Sequence, residues 1–189
     1  MTGRNFFKYF GKFISLISFL LSVFPKKFNL FLFNLFSGCP TYFGTLIRYI
    51  LLKSIIKDLG NNVYIGRWCI IKNINNLTIG NNVSIHDMCY IDALGGIKIG
   101  NNVSIAHQCS LISFEHNYND EQTIPIKYQR IIKKNIILHD NIWIGCGSRI
   151  LAGTIIPQKT VIAANTVTKG ELKQGVNAGS PARKIKDIL

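Results

Sequence analysis

The stretch LGNNVYIGRWCIIKNINNLTIGNNVSIHDMCYIDALGGIKIGNNVSIAHQCSLIS, Leu59 to Ser113, repeats itself every twenty residues. GNNV begins at Gly60, Gly80 and Gly100, and a cysteine recurs at Cys69, Cys89 and Cys109. Divided into sixes from Ile79, the chain reads IGNNVS, IHDMCY and IDALGG, then, after the extra pair Ile97-Lys98, IGNNVS and IAHQCS. Upstream lie LGNNVY, IGRWCI and IKNINN, followed by Leu77-Thr78; downstream, after a gap, come LHDNIW, IGCGSR, ILAGTI, IPQKTV and IAANTV. Each unit opens on an aliphatic residue and carries a small or medium residue four places later.

Repetition at a short fixed period means stacked units that bury little alone. Helix is excluded, because an apolar residue every six positions lands on different sides of a 3.6-residue helix. The units fit short strands with the aliphatic inward, three to a coil, joined by turns whose Asn-Asn and Gly suit positive φ. A triangular prism results. The cysteines share the inward fifth position with Val63, Val83, Val103, Ser148, Thr154 and Thr160, so they read as small core residues. Metal binding calls for convergent ligands at a spacing such as C-x2-C, which is absent.

Charge is unevenly placed. The first 57 residues hold Arg4, Lys8, Lys12, Lys26, Lys27, Arg48, Lys53 and Lys57 and none of the chain's nine Asp and Glu. Such a basic segment, crowded with Phe, points to an anionic lipid surface rather than to nucleic acid, which takes fewer aromatics among more charges. Phe13–Pro25 is uncharged but falls short of the roughly 20 residues a span needs. Phe28–Ile47 is interrupted by Gly38, Cys39 and Pro40. Phe13, Leu16, Ile17, Leu20, Leu21 and Phe24 follow helical spacing and Ser15, Ser18 and Ser22 take another face. This predicts a helix lying in the membrane interface, with Lys8, Lys12, Lys26 and Lys27 at headgroups. Packing of the segment on its own domain or a sister subunit is the alternative. PKKF, not a small-residue cleavage site, follows the apolar run, which argues against a signal peptide. An odd count of five cysteines argues against a disulfide framework and for the cytoplasm.

From about Leu59 to Lys186 the chain resembles the hexapeptide-repeat acyltransferases, and IAHQCSLISFEHNY, NIWIGCGSRILAGTIIP, TVTK and AGSPARKIK are similar to the galactoside, maltose and capsular-sugar O-acetyltransferase branch. The resemblance implies a mainly β fold, a left-handed parallel β-helix over 58–170 with a catalytic loop at 113–134, followed by a tail at 171–189. It implies a homotrimer that moves acetyl from acetyl-CoA to a sugar hydroxyl, as of a surface polysaccharide. The charge and apolar pattern of residues 1–57 adds an N-terminal helical, hydrophobic, membrane-associating segment, and with it the expectation of a lipid-linked glycan as acceptor and of a place on the inner face of a membrane.

The repeat breaks once, at Ser113–Lys134, and irregular loops on a rigid scaffold are where function concentrates. Acyl transfer to a hydroxyl needs a base, for which imidazole is matched to neutral pH. His116 stands where this branch has its loop histidine and is the expected base, with Glu115 or Asp120 as candidates to orient it. His86, thirty residues earlier, takes the place of an acceptor-contacting Asn. Asp92 and the loop residue Tyr118 are further acceptor candidates, Asp92 being equally consistent with a turn cap. His107 and His139 fall at turns. For the donor, the resemblance puts Cys146 and Ala164 along the pantetheine arm and Thr168, Lys169, Arg183 and Lys186 near the phosphates, to which cations are suited. No metal is expected. Two other readings stand beside this one: a non-catalytic scaffold, and a β-helix carbonic anhydrase using His86, His107 and His116.

Overall fold

The computed structural model describes residues 3–119 and 123–188, with side chains from Tyr9 onward. Three helices precede the strands: α1 (Gly3–Ser22), α2 (Lys26–Leu35) and α3 (Thr41–Ile55). Pro25 and Pro40 immediately precede α2 and α3, where a missing N–H costs nothing because a helix's first amides have no partner within it.

From Asp58 onward the chain visits three parallel sheets in turn. The first contains Asp58–Leu59, Leu77–Ile79, Ile97–Ile99, Ile136–Leu138 and Ile155–Ile156. The second contains Tyr64–Ile65, Ser84–Ile85, Val103–Ile105, Ile142–Ile144 and Thr160–Ile162, and the third Ile70–Lys72, Tyr90–Asp92, Ser110–Ile112, Arg149–Ile150 and Val167–Thr168. Leu77 pairs with Ile97, Ile97 with Ile136, and Ile137 with Ile155. The register therefore survives the long break in the repeat. Within the segment expected as a tail, two strands extend the second sheet: Gly175–Ala178 adds in parallel and Arg183–Lys186 in antiparallel fashion.

The inward positions are filled as the repeat predicts. Val63, Val83 and Val103 are buried, as are Cys69, Cys89, Cys109, Ser148, Thr154 and Thr160. The thiols bind one coil to the next. Cys69, Cys89 and Cys109 donate from Sγ to the carbonyls of His86, Ala106 and Gly145, each at 3.2 Å, and Ser148 continues the line to Ala163 at 3.0 Å. The neighbouring thiols of Cys109 and Cys69, together with burial, push the Cys89 thiol up, so it stays protonated at neutral pH.

The turns between the first and second sheets are built by asparagine. Asn62, Asn82, Asn102 and Asn141 all have φ between 54° and 58°, a region Asn tolerates. Their amides form a ladder, Asn62 to Asn82 at 2.9 Å and Asn82 to Asn102 at 3.1 Å. Gly60 has a different reason: a Cβ there would stand 2.3 Å from the Gly80 carbonyl oxygen.

The helices close the first coil. Arg48 is 1% exposed, and its guanidinium donates to the carbonyls of Ile65 at 2.9 Å and Cys39 at 2.7 Å. Burial pulls its pKa below the usual arginine value. Tyr49, buried beside it on α3, donates its hydroxyl to Gly60 at 3.0 Å, and burial pushes its pKa up to about 12. Helices α1 and α2 pack on α3. The expected face of α1 is divided: Ile17 and Leu21 turn inward with Ile14 and Ser18, while Phe13, Leu16, Leu20 and Phe24 are exposed. Ser18 can lie inside because its hydroxyl is satisfied by the Ile14 carbonyl at 2.9 Å. No described helix is long and apolar enough to cross a membrane.

Candidate active site

The break at 113–134 begins and ends as a short antiparallel ribbon, with Phe114–His116 against Ile131–Lys133 and His116 opposite Ile131. Its root is fixed by Ser113, fully buried, whose hydroxyl donates to the Asp92 carbonyl and accepts from the Gly95 amide, each at 2.9 Å. The Lys134 amide closes the ribbon on the Ser113 carbonyl at 3.0 Å. His116 is exposed beyond this root, and so is Tyr118.

Successive residues of a strand face opposite ways, which separates Glu115 from His116. The Glu115 carboxylate takes Lys169 at 2.6 Å and Lys134 at 3.0 Å. Those cations, Lys169 foremost, hold its carboxyl below the usual range, and Glu115 in turn raises Lys169. Glu115 therefore ties the ribbon to a later coil and is not turned toward the His116 ring. Asp120, the other candidate for that task, lies outside the described residues.

The remaining predicted residues fall at separate places. His86 sits at the turn between the second and third sheets, exposed, with its ring 5.5 Å from that of Tyr64. Cys146 and Ala164 occupy the same corner on later coils, where the Cys146 carbonyl accepts from the Asn165 amide at 2.8 Å. His116 leaves from the opposite edge of the third sheet. One chain thus sets His116 on one side of that sheet and His86, Cys146 and Ala164 on the other.

Asp92 resolves toward the turn. It is 5% exposed, and its carboxylate accepts from Asn73 Nδ2 at 2.6 Å, the Leu94 amide at 3.3 Å and the Tyr90 hydroxyl at 3.4 Å. Thr168 is fully buried, its hydroxyl 3.2 Å from that of Thr154, so its side chain packs in the core. Lys169 is half-exposed but engaged by Glu115. Arg183 and Lys186 are exposed, and the Ala182 amide bonds the Val167 carbonyl at 2.8 Å, which carries Arg183 to the end of the strand leading into Lys169. His107 and His139 are exposed at turns. Among the described residues, no three His, Cys, Asp or Glu side chains are grouped so that they could hold a metal ion. Sequence reasoning missed Lys134, whose only signal was its position at the loop's far end, and it missed the engagement of Glu115.

Solved structures of similar fold include acetyltransferases. A hexapeptide-repeat acetyltransferase from Vibrio cholerae O1 biovar eltor, complexed with acetyl-coenzyme A, is 21% identical, with a TM-score of 0.75 over 86% of this chain and 86% of that one. The fold is that of the hexapeptide-repeat acetyltransferases. A galactoside acetyltransferase in complex with coenzyme A matches this hexapeptide-repeat chain at 23% identity and a TM-score of 0.76, covering 87% of it and 81% of the other. A maltose O-acetyltransferase from Clostridium difficile 630 gives 23% and 0.77, covering 89% of each. A probable acetyltransferase of Mycobacterium tuberculosis (strain ATCC 25618 / H37Rv) is 32% identical over 80 residues, 42% of this chain and 26% of that protein. No family model matches the chain.

Proposed function

We propose that this chain forms a left-handed parallel β-helix, assembles as a homotrimer, and transfers acetyl from acetyl-CoA to a sugar hydroxyl of a surface polysaccharide or lipid-linked glycan. One observation carries the reading: the repeat's long interruption is a rooted ribbon presenting an exposed His116, on a fold that two similar solved structures share with coenzyme A or acetyl-coenzyme A bound. His116 takes the proton of the acceptor hydroxyl as its oxygen attacks the thioester carbonyl. The carbon–sulfur bond then breaks, CoA departs as thiolate, and the imidazolium returns the proton to sulfur.

The separation of His116 from His86, Cys146 and Ala164 supports a site completed by a neighbouring subunit, with the base from one prism meeting the acceptor and donor corner of the next. In this arrangement Cys146 and Ala164 line the pantetheine arm, while Arg183, Lys186 and Lys169 face the phosphates. Lys169 must share itself between Glu115 and the donor. His86 and Tyr118 contact the acceptor.

Residues 1–57 hold the enzyme to the inner face of a membrane. The exposed aromatic surface of α1 and α2, which includes Phe13, Phe19, Phe24, Phe28 and Phe31, supports this. So do the exposed Lys12, Lys26 and Lys27 and the absence of any acidic residue there. Rings buried at the headgroup boundary together with lysines outside it are the composition of an interfacial anchor.

The test is thioester consumption. Wild type and His116→Ala are incubated with acetyl-CoA and a panel of sugars and lipid-linked glycans, and free CoA thiol is followed. Release by wild type, reduced on the order of a hundredfold in the variant, is the expected result. Equal release by both proteins removes His116 from the role of base, and no release with no CoA binding removes the transferase reading.

A further inference from the structure

The lower coils carry a strip of exposed side chains, Tyr64, Arg67 and Trp68, that the transfer chemistry leaves unused and that leads up to His86. Trp68 occupies the turn position that Met88, Gln108 and Gly147 fill on the coils above, and all four have positive φ, 59° at Trp68. That conformation suits Gly or Asn and strains a bulky residue. The indole is laid on Gly38 so closely that a Cβ there would come within 2.4 Å of the ring, and the Trp68 amide donates to the Ser37 carbonyl at 3.1 Å. Although fixed by the protein on that side, Trp68 remains 57% exposed.

Toward the second sheet, Tyr64 supports the exposed ring of His86, the two planes tilted by 52°. Between Tyr64 and Trp68 lies an ion pair. Arg67 reaches Asp87 Oδ2 through Nη2 at 3.0 Å and Nε at 3.1 Å, and the Arg67 amide meets Oδ1 at 2.8 Å. Partial burial pushes the Asp87 carboxyl up, but the Arg67 amide and guanidinium outweigh it and the net shift is downward.

We infer that Trp68, the Arg67–Asp87 pair and Tyr64 bind sugars of the acceptor glycan beyond the acetylated one that His86 meets. The inference rests on the transferase reading. A pyranose has an apolar C–H face and a rim of hydroxyls. A ring backed by protein and open on its other side takes the face, and a carboxylate–guanidinium pair takes the rim. The strip runs from the connection between α2 and α3, at Gly38, up to His86, so it joins the helical cap to the acceptor position. A glycan anchored at the membrane would pass along it.

The experiment compares acceptors of one to six sugars cut from whichever glycan gives CoA release. The expected result for wild type is a higher kcat/KM for the hexasaccharide than for the monosaccharide. In Trp68→Ala that advantage falls about tenfold, through KM rather than kcat, as loss of uniform binding requires. Trp68→Phe, which keeps a ring on Gly38, retains most of it, and Tyr64→Ala repeats the loss if Trp68→Ala proves unfolded by circular dichroism. A wild type indifferent to acceptor length, or folded variants that keep the full advantage, overturns the strip while the transferase reading stands. Should wild type release no CoA on any acceptor, binding decides separately. Maltohexaose and chitohexaose are titrated against tryptophan fluorescence, and a change lost in Trp68→Phe and Tyr64→Ala upholds a sugar strip. No change with either probe sinks it.

Discussion

The guanidinium of Arg48 meets the carbonyl of Ile65 at 2.9 Å, and through this bond a helix and the first coil share a buried cation. The same group serves Cys39 at 2.7 Å, so it binds the connection between α2 and α3 as well. Arg48→Met keeps the volume but leaves these carbonyls without their donor. The expected loss is about 3 kcal/mol, from unsatisfied buried acceptors, read as a lower urea midpoint at unchanged slope. Arg48→Lys restores little, because an ammonium cannot reproduce the fork.

Thiol chemistry separates the five cysteines. Cys69, Cys89 and Cys109 are buried and hydrogen-bonded, whereas Cys39 and Cys146 are half-exposed. Titration of native protein with Ellman's reagent is expected to find two fast thiols, with three more appearing only at the rate of unfolding. Five fast thiols would mean the coil opens readily.

The clasp at Glu115 has a defined pH window. Its carboxyl is lowered, so the contribution is complete above the ordinary glutamate value near 4.3 and is lost as pH falls through the folded value below it. Lys169 is raised, so its share is complete below about 10.4 and is lost as pH rises past the folded value. Protease nicking of the 113–134 ribbon is expected to be slow between those limits and faster at acid pH. It is faster at any pH in Glu115→Gln. Salt near 1 M brings wild type toward the variant, since the pair is partly exposed.

Asn82 tests the turn ladder. It has φ 56° and bridges Asn62 and Asn102. Asn82→Ala combines left-handed strain with lost bonds and is expected to cost about 2 kcal/mol. Asn82→Gly, which removes only the bonds, costs about half as much, and thermal unfolding of both variants checks the ordering.

What could be read in advance follows from which interactions repeat. The inward Ile and Val, the cysteine line and the Asn turns recur at fixed spacing, and a period carries its own alignment. Arg48 could not be read this way. Among eight cations in an acid-free segment nothing set it apart, and only the meeting of three chain segments makes it an internal donor. The burial of Thr168 was hidden for a related reason: it sits beside an exposed lysine in sequence, yet its parity in the strand turns it inward onto Thr154. Glu115 was visible as a loop carboxylate, but its partner Lys169 lies 54 residues away, beyond any local pattern.

The three connections between the sheets are not equivalent. Ile79, Ile85 and Ile91 are spaced by six, as are Ile99, Ile105 and Leu111, then Leu138, Ile144 and Ile150. The passage from the third sheet back to the first takes eight residues from Ile71 to Ile79 and from Ile91 to Ile99, many more from Leu111 to Leu138, and six from Ile150 to Ile156. All variation in chain length is vented through one seam, which acts as an expansion joint. A segment of another length or chemistry spliced between Ser113 and Asn135 would leave Ile136 beside Ile97. The molecule can therefore exchange its working loop without renegotiating its core.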